Sequence, residues 1–244
     1  MTLFKKAACA SLLLTVGIAA NVPAPAGQAA PSSPDTKAEL QRIVAVMDRT
    51  AANFHSAQAS FEWKQYTSVV NDITDDQKGT VYFRRTGKQV EMAADISDPT
   101  PPKYVLFTGS KVQVYQPKIE QVTEYNTGKD RAAVESFLVL GFGGSGQDML
   151  KSYDVTYQGT EKVDGIDAAK LDLVPKSEKA RGMLTHIVLW IDLSRGLSVR
   201  QQLFQSGGDY RLANYSDIRL NEKIPDDAFK LKTTNKTKFL SPKG

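Results

Sequence analysis

The run Gly79-Thr80-Val81-Tyr82-Phe83-Arg84-Arg85-Thr86-Gly87-Lys88-Gln89-Val90-Glu91-Met92 alternates apolar and polar side chains on both sides of a turn. A period of two is the signature of a half-buried strand. Val81 and Phe83 share one face of the first strand, and Val90 and Met92 share one face of the second. Thr86-Gly87-Lys88 joins them as a hairpin.

The same pattern extends outward in both directions. Upstream, Phe61 and Trp63 alternate with polar partners. Downstream, Val105 and Phe107 meet Val112 and Val114 across Gly109-Ser110, and Pro117-Lys118 turns the chain toward Val122 and Tyr125. Leu171 and Leu173 follow Asp164-Gly165. Ile187, Leu189 and Ile191 then face Leu197, Val199 and Leu203 across Leu193-Ser194-Arg195-Gly196. Ser206-Gly207-Gly208-Asp209 leads to Tyr210, Leu212 and Tyr215. The fold class is mainly β with helices (α+β), about eleven strands in a meander without a repeated βαβ unit. A sheet this large with one apolar face must curl, and it encloses more interior than its own side chains readily fill.

Two segments carry the helical period instead. Pro34 to Phe54 places Leu40, Ile43, Val44, Met47, Ala51 and Phe54 on one stripe, with Ser33 as cap. Lys129 to Leu140 places Val134, Phe137 and Leu138 together, and Gln147 to Tyr153 reads as a further short helix. Between them Gly141-Phe142-Gly143-Gly144-Ser145-Gly146 reads as a flexible loop, whose glycines let a covering segment move. The N-terminal helix and this mid-chain helical lid are the expected covers of the concavity.

The first residues differ in kind from the rest. Lys5 and Lys6 precede an uncharged stretch from Ala7 to Ala20, followed by small residues with cut sites after Ala26 or Ala29. Residues 1–29 read as a cleavable signal peptide, with cleavage at about 20–29. Residues 30–34 form a flexible lead, and 35–244 form a single domain. The lone Cys9 falls within the segment to be removed, so no disulfide supports the fold. Removing Lys5 and Lys6 from the formal charge of +4 leaves +2, with both signs interspersed. That balance carries no nucleic-acid footprint.

Short catalytic motifs are weak. Gly141, Gly143 and Gly146 match G-x-G-x-x-G, but that pattern binds a dinucleotide only between a strand and a helix of a βαβ unit. His55 and His186 lack a companion at metal-ligand spacing, so no metal site is expected. No serine lies in G-x-S-x-G. Asp75-Asp76 and Asp226-Asp227 read as turn carboxylates. These motifs lead to the expectation of no catalytic site and no cofactor.

The order of these features resembles the LolA family of periplasmic lipoprotein carriers. Gly79 to Arg85 resembles the family's strand ending in arginine, and Thr108-Gly109-Ser110-Lys111-Val112-Gln113-Val114-Tyr115-Gln116-Pro117 its aromatic hairpin. Glu120-Gln121-Val122-Thr123, Leu189-Trp190-Ile191-Asp192, Tyr215-Ser216-Asp217-Ile218 and Ile224-Pro225-Asp226-Asp227-Ala228-Phe229 continue the likeness. The resemblance implies a strongly curved, incomplete antiparallel β-barrel whose apolar concavity takes acyl chains beneath a helical lid. It implies Arg85 as a lid latch, although Thr86 stands where the family usually has proline. Alternation offers Phe61, Trp63, Val81, Phe83, Val90, Met92, Phe107, Val114, Leu189 and Leu203 as cavity lining. Val134, Phe137, Leu138, Gly141, Gly143 and Gly146 belong to the lid.

The implied function is a periplasmic monomer that shuttles lipid-modified proteins from an inner-membrane lipoprotein-release transporter to an outer-membrane lipoprotein receptor. Other readings stay open on the residues: a carrier of another envelope lipid or glycolipid, a periplasmic lipid or lipoprotein sensor of a membrane signalling partner, or an exported hydrolase with a dispersed site.

Overall fold

The computed structural model describes residues 34–87, 89–128 and 131–242. The expected signal segment, most of the lead, the Ser33 cap and Lys88, Lys129 and Asp130 lie outside the described residues.

Helix α1, Pro34–Ala52, comes first, followed by strands β1 Ser56–Thr67, β2 Asp72–Thr86, β3 Gln89–Asp98, β4 Lys103–Thr108, β5 Lys111–Gln116 and β6 Gln121–Asn126. Helices α2, Arg131–Leu138, and α3, Gly146–Ser152, come next. The second half holds β7 Tyr153–Val163, β8 Ile166–Pro175, α4 Glu178–Arg181, β9 His186–Asp192, β10 Ser198–Phe204, β11 Tyr210–Leu220 and β12 Lys238–Leu240.

All twelve strands form one sheet, in the order β12-β6-β5-β4-β3-β2-β1-β11-β10-β9-β8-β7. The sheet is open and curved, not closed into a barrel. Each half is a meander of hairpins, and β11 returns to pair with β1 and so joins the halves. The Asp164-Gly165 hairpin shows the local logic: both residues have positive φ, 49° and 84°, as a two-residue turn matched to strand twist demands.

This topology dictates where the mid-chain helices lie. β6 sits near one end of the sheet and β7 forms the other edge, so the chain between them must cross the sheet. It crosses on the apolar face. Ile43, Val44 and Met47 of α1, Leu140, and Met149 of α3 pack on Leu171, Leu173, Ile187, Leu189 and Ile191 in one cluster. Phe54 and Phe142 pack on Phe61, Val81, Phe83, Met92, Ala94, Ile96 and Phe107 in a second.

Over β2 to β4 the outer face is covered by the C-terminal segment. Ile224 and Phe229, with Leu231 beside them, pack on Ala93, Leu106 and Tyr82. Arg84 helps hold this strap: its guanidinium sits 4.1 Å from the Phe229 ring centroid and pairs with Glu91 at 2.7 Å and Asp226 at 2.9 Å. The segment ends as β12, parallel to β6.

The structure refines several expectations. A twelfth strand is added, and it is parallel rather than antiparallel because the tail reaches β6 only after crossing the outer face. The helix expected from Gln147 ends at Ser152, and Tyr153 begins β7, whose alternating side chains include Val155 and Tyr157 on the covered face. Asp75 and Asp76 lie inside β2 rather than in a turn, because the β1–β2 hairpin is longer than its apolar residues announce.

The β9–β10 turn rests on a buried carboxylate. Asp192 accepts from the Ser194 N–H at 2.7 Å, the Ser194 hydroxyl at 2.6 Å and Arg195 Nε at 2.6 Å. Burial pushes this carboxyl up, but the bonds from Ser194 and Arg195 outweigh it and hold it below the usual range. A depressed folded pKa contributes stability above the unfolded value of ~3.9 that is lost as pH falls through the folded pKa. Asp192→Ala is expected to cost ~2 kcal/mol at pH 7, where it strands buried donors, and the gap to the parent should narrow below pH ~4. Urea denaturation at stepped pH checks both statements.

Candidate functional site

Alternation places all of the expected lining residues on the helix-covered face. Phe61, Val81, Phe83, Met92 and Phe107 are buried in the second cluster, with Trp63 half-buried against it. Phe61 and Trp63, two residues apart on β1, stack with centroids 4.1 Å apart. Val90 is buried at the end of β3 and is paired across to Arg85. Val114 pairs with Val105, which borders the second cluster, and remains half-buried toward the β6 end. Leu189 and Leu203 lie apart from these, in the first cluster beneath α1. The expected lining is therefore split into two regions.

The lid spans both regions. Val134 and Leu138 of α2 pack on the second cluster, whereas Phe137 packs on the first. The loop after α2 repeats the division, with Leu140 in the first and Phe142 in the second. Phe142 is 1% exposed. Its ring stacks on Phe83 at 4.9 Å and meets Tyr215 edge-on at 4.6 Å. Burying such a side chain stabilises the closed arrangement by ~2–3 kcal/mol. Burial also pushes the Tyr215 phenol up to about 12, so it stays neutral.

The lid glycines lie where the loop packs closely on its neighbours. At Gly143, φ is +84° and an added Cβ would lie 2.3 Å from the Phe54 ring. At Gly141 it would lie 2.5 Å from Ser198 Cβ, and at Gly146 it would lie 2.9 Å from Val44 O. These residues are small so that the loop can lie directly against β10 and α1. Bonds to its carbonyls pin it there: Ser198 N–H donates to Gly141 O at 2.7 Å, and the Gln201 side-chain Nε2 donates to Leu140 O at 2.8 Å. Ser145 caps α3 through Gln147 N–H and Asp148 N–H, and its hydroxyl donates to Asp48 of α1 at 2.7 Å.

Arg85 reaches both covers from the end of β2. Its Nη2 donates to Gly143 O at 3.2 Å and its Nη1 to Ala51 O at 3.4 Å, with the guanidinium 5.5 Å from the Phe54 ring centroid. Strand alternation explains the Arg84-Arg85 pair: one arginine serves the outer strap and the other the helices. On α2, Glu135 accepts from the Val90 N–H at 2.7 Å.

Sequence reasoning missed Phe142, Tyr215 and Gln201 as parts of this site. Phe142 carried one signal, as the lone large apolar residue in a glycine run. Gln201 carried none, because a polar strand residue bonding a distant carbonyl has no local pattern. His186 lies in β9, stacked on Phe204 at 4.1 Å, away from the covered face. Among the described residues no group of three or more His, Cys, Asp or Glu side chains could hold a metal ion.

An open curved sheet whose apolar face is roofed by α1, α2 and a glycine-bounded aromatic loop is a LolA-like architecture. The chain belongs to the LolA family: the model of the outer membrane lipoprotein carrier protein LolA matches residues 52–232. No individual curated protein matches the chain in sequence. Among solved structures, an uncharacterized conserved protein from Thermus thermophilus is similar with a TM-score of 0.53 and 10% identity, covering 84% of this chain and 99% of that one. A LolA superfamily protein from Nitrosomonas europaea has a TM-score of 0.38 and 14% identity, covering 79% and 97%. The Mycobacterium tuberculosis lipoprotein LppX has a TM-score of 0.46 and 19% identity, covering 80% and 99%. At 10% identity the likeness to the Thermus thermophilus protein concerns the fold alone.

Gly143→Ala is expected to destabilise the protein by at least ~2 kcal/mol, since it combines a strained positive φ with a clash on Phe54. Chemical denaturation measures the loss.

Proposed function

We propose that this protein is a periplasmic carrier that holds the acyl chains of lipoproteins against the helix-covered face and shuttles them from the inner to the outer membrane. The observation that carries the reading is the roof itself. Phe142 fills the space over Phe83 and Tyr215, and its segment, joined to the sheet through β6 and β7 at its two ends, is held on the covered face by aromatic contacts and side-chain hydrogen bonds. An acyl chain that displaces Phe142 and α2 gains ~0.8 kcal/mol per buried CH₂. It must also release the aromatic contacts and the bonds of Arg85 and Glu135. That opposing cost keeps affinity within a range from which cargo can be handed on.

In this reading Arg85 is the lid latch, and the lining is formed by Phe61, Trp63, Val81, Phe83, Val90, Met92, Phe107 and Val114. Leu189 and Leu203, under α1, are reached only if α1 also shifts. The partners are lipid-modified proteins, an inner-membrane release transporter that supplies the energy, and an outer-membrane receptor. Binding and transfer, not catalysis, are the activity.

Native mass spectrometry of the protein purified from its own periplasm tests the cargo. A bound triacylated lipoprotein supports the shuttle, a free phospholipid or glycolipid moves the function to another lipid, and a protein that carries nothing and also takes up no labelled lipoprotein defeats the carrier reading.

The latch has its own measurement. Arg85→Leu weakens only the closed, unloaded state, so the apparent affinity for a fluorescent triacyl lipopeptide is expected to rise by about tenfold and release to slow. Unchanged affinity and release would remove Arg85 from the mechanism.

A further inference from the structure

At the opposite end of β2 from Arg85, the β1–β2 hairpin closes through Ser68-Val69-Val70-Asn71, with the Asn71 N–H donating to Ser68 O at 3.1 Å. Val69 is 92% exposed, Val70 is 59% exposed and the neighbouring Ile73 is 40% exposed. The central positions of a turn favour Gly, Pro, Asn, Asp and Ser, whereas β-branched side chains favour strands. Neither local preference nor burial accounts for two valines here.

The tip is also held in place. The Ser68 N–H donates to Asp209 Oδ1 at 2.8 Å, and the Ser68 hydroxyl lies 2.7 Å from both Asp209 Oδ1 and Gly207 O. Tyr66 donates its phenol to Asn71 Oδ1 at 2.6 Å, and its ring stacks on Tyr210 with centroids 4.7 Å apart. The β10–β11 hairpin thus braces the turn that presents the valines.

From the tip inward, the order is apolar side chains, a tyrosine pair, then polar strands. That is the profile of an element sitting at a bilayer interface, where tyrosines lie at headgroup level and apolar groups below it. A projecting tip offers a wedge and no pocket. Residues 68–76 contain Asp72, Asp75 and Asp76 but no Lys or Arg, which disfavours anionic headgroups.

We propose that the Val69-Val70 tip is a membrane-contact element that dips into the interface of zwitterionic lipid. It lies roughly 40 Å along β2 from Arg85, so contact there leaves the lid latch uncovered. The element acts independently of what the helix-covered face binds.

The test is co-sedimentation of the purified protein with phosphatidylcholine–phosphatidylethanolamine vesicles and with phosphatidylglycerol-rich vesicles. Binding is expected on the zwitterionic vesicles and severalfold weaker on the anionic ones. The double substitution V69S/V70S should lower binding by about tenfold per valine. Denaturation midpoint and uptake of the fluorescent lipopeptide in vesicle-free solution should be unchanged, so failure of the tip and failure of the carrier reading separate. Three results would each overturn the proposal: no binding to either vesicle, as for a tip that docks on a protein; equal binding by the variant; or binding confined to anionic vesicles and abolished by salt.

Discussion

An open sheet with one apolar face has to be covered, and in this chain the cover comes from the connection between the two halves of the sheet. β6 and β7 stand near opposite ends of a twelve-stranded order, so residues 127–152 must travel across the sheet. Running on the apolar face removes both that face and the apolar side of α2 from water. The roof is thus a consequence of strand order, and every feature of the site follows from it.

Closely related is the way the roof is attached. Glycines at 141, 143 and 146 are places where the loop backbone touches Ser198, Phe54 and Val44, so they act by permitting contact. Leu140 before the first glycine and Phe142 after it pack in different apolar clusters. Arg85, Gln201 and Glu135 then satisfy or use backbone groups that the irregular segment and the strand end leave over. A buried irregular segment needs such partners, because an unpaired carbonyl or N–H away from water is costly. The same polar bonds make the roof separable from the sheet in a way that a continuous apolar seam would not be.

Much of this was legible in the residues. The period-two runs around Gly87, Gly109 and Gly196 placed the hairpins, and parity along each strand placed Phe61, Val81, Phe83, Met92, Phe107 and Leu189 on one face. The stripe Ile43, Val44, Met47 and Ala51 announced α1. Parity could not say that Leu189 and Leu203 sit under α1 while Phe83 and Phe107 sit under Phe142, because alternation fixes a side of the sheet and not a neighbour across it. β7 escaped notice because the helical reading of Gln147 to Tyr153 runs into it and its inward residues, Tyr153, Val155 and Tyr157, are two tyrosines and one valine, all only partly buried. β12 escaped because three exposed residues carry no periodicity.

What the sequence by itself determined, then, was local: the period of each segment, the turns between them, and the side on which each apolar residue falls. Those properties depend on residues two to four apart, and they are set by backbone geometry and the avoidance of wet apolar surface. Only the tertiary structure decided the pairing of β1 with β11, the path of the connection from β6 to β7, and the meeting of Arg85 with Gly143 and Ala51. Those contacts join residues far apart in the chain, and their free energy exists only once the sheet has curled enough to bring them together.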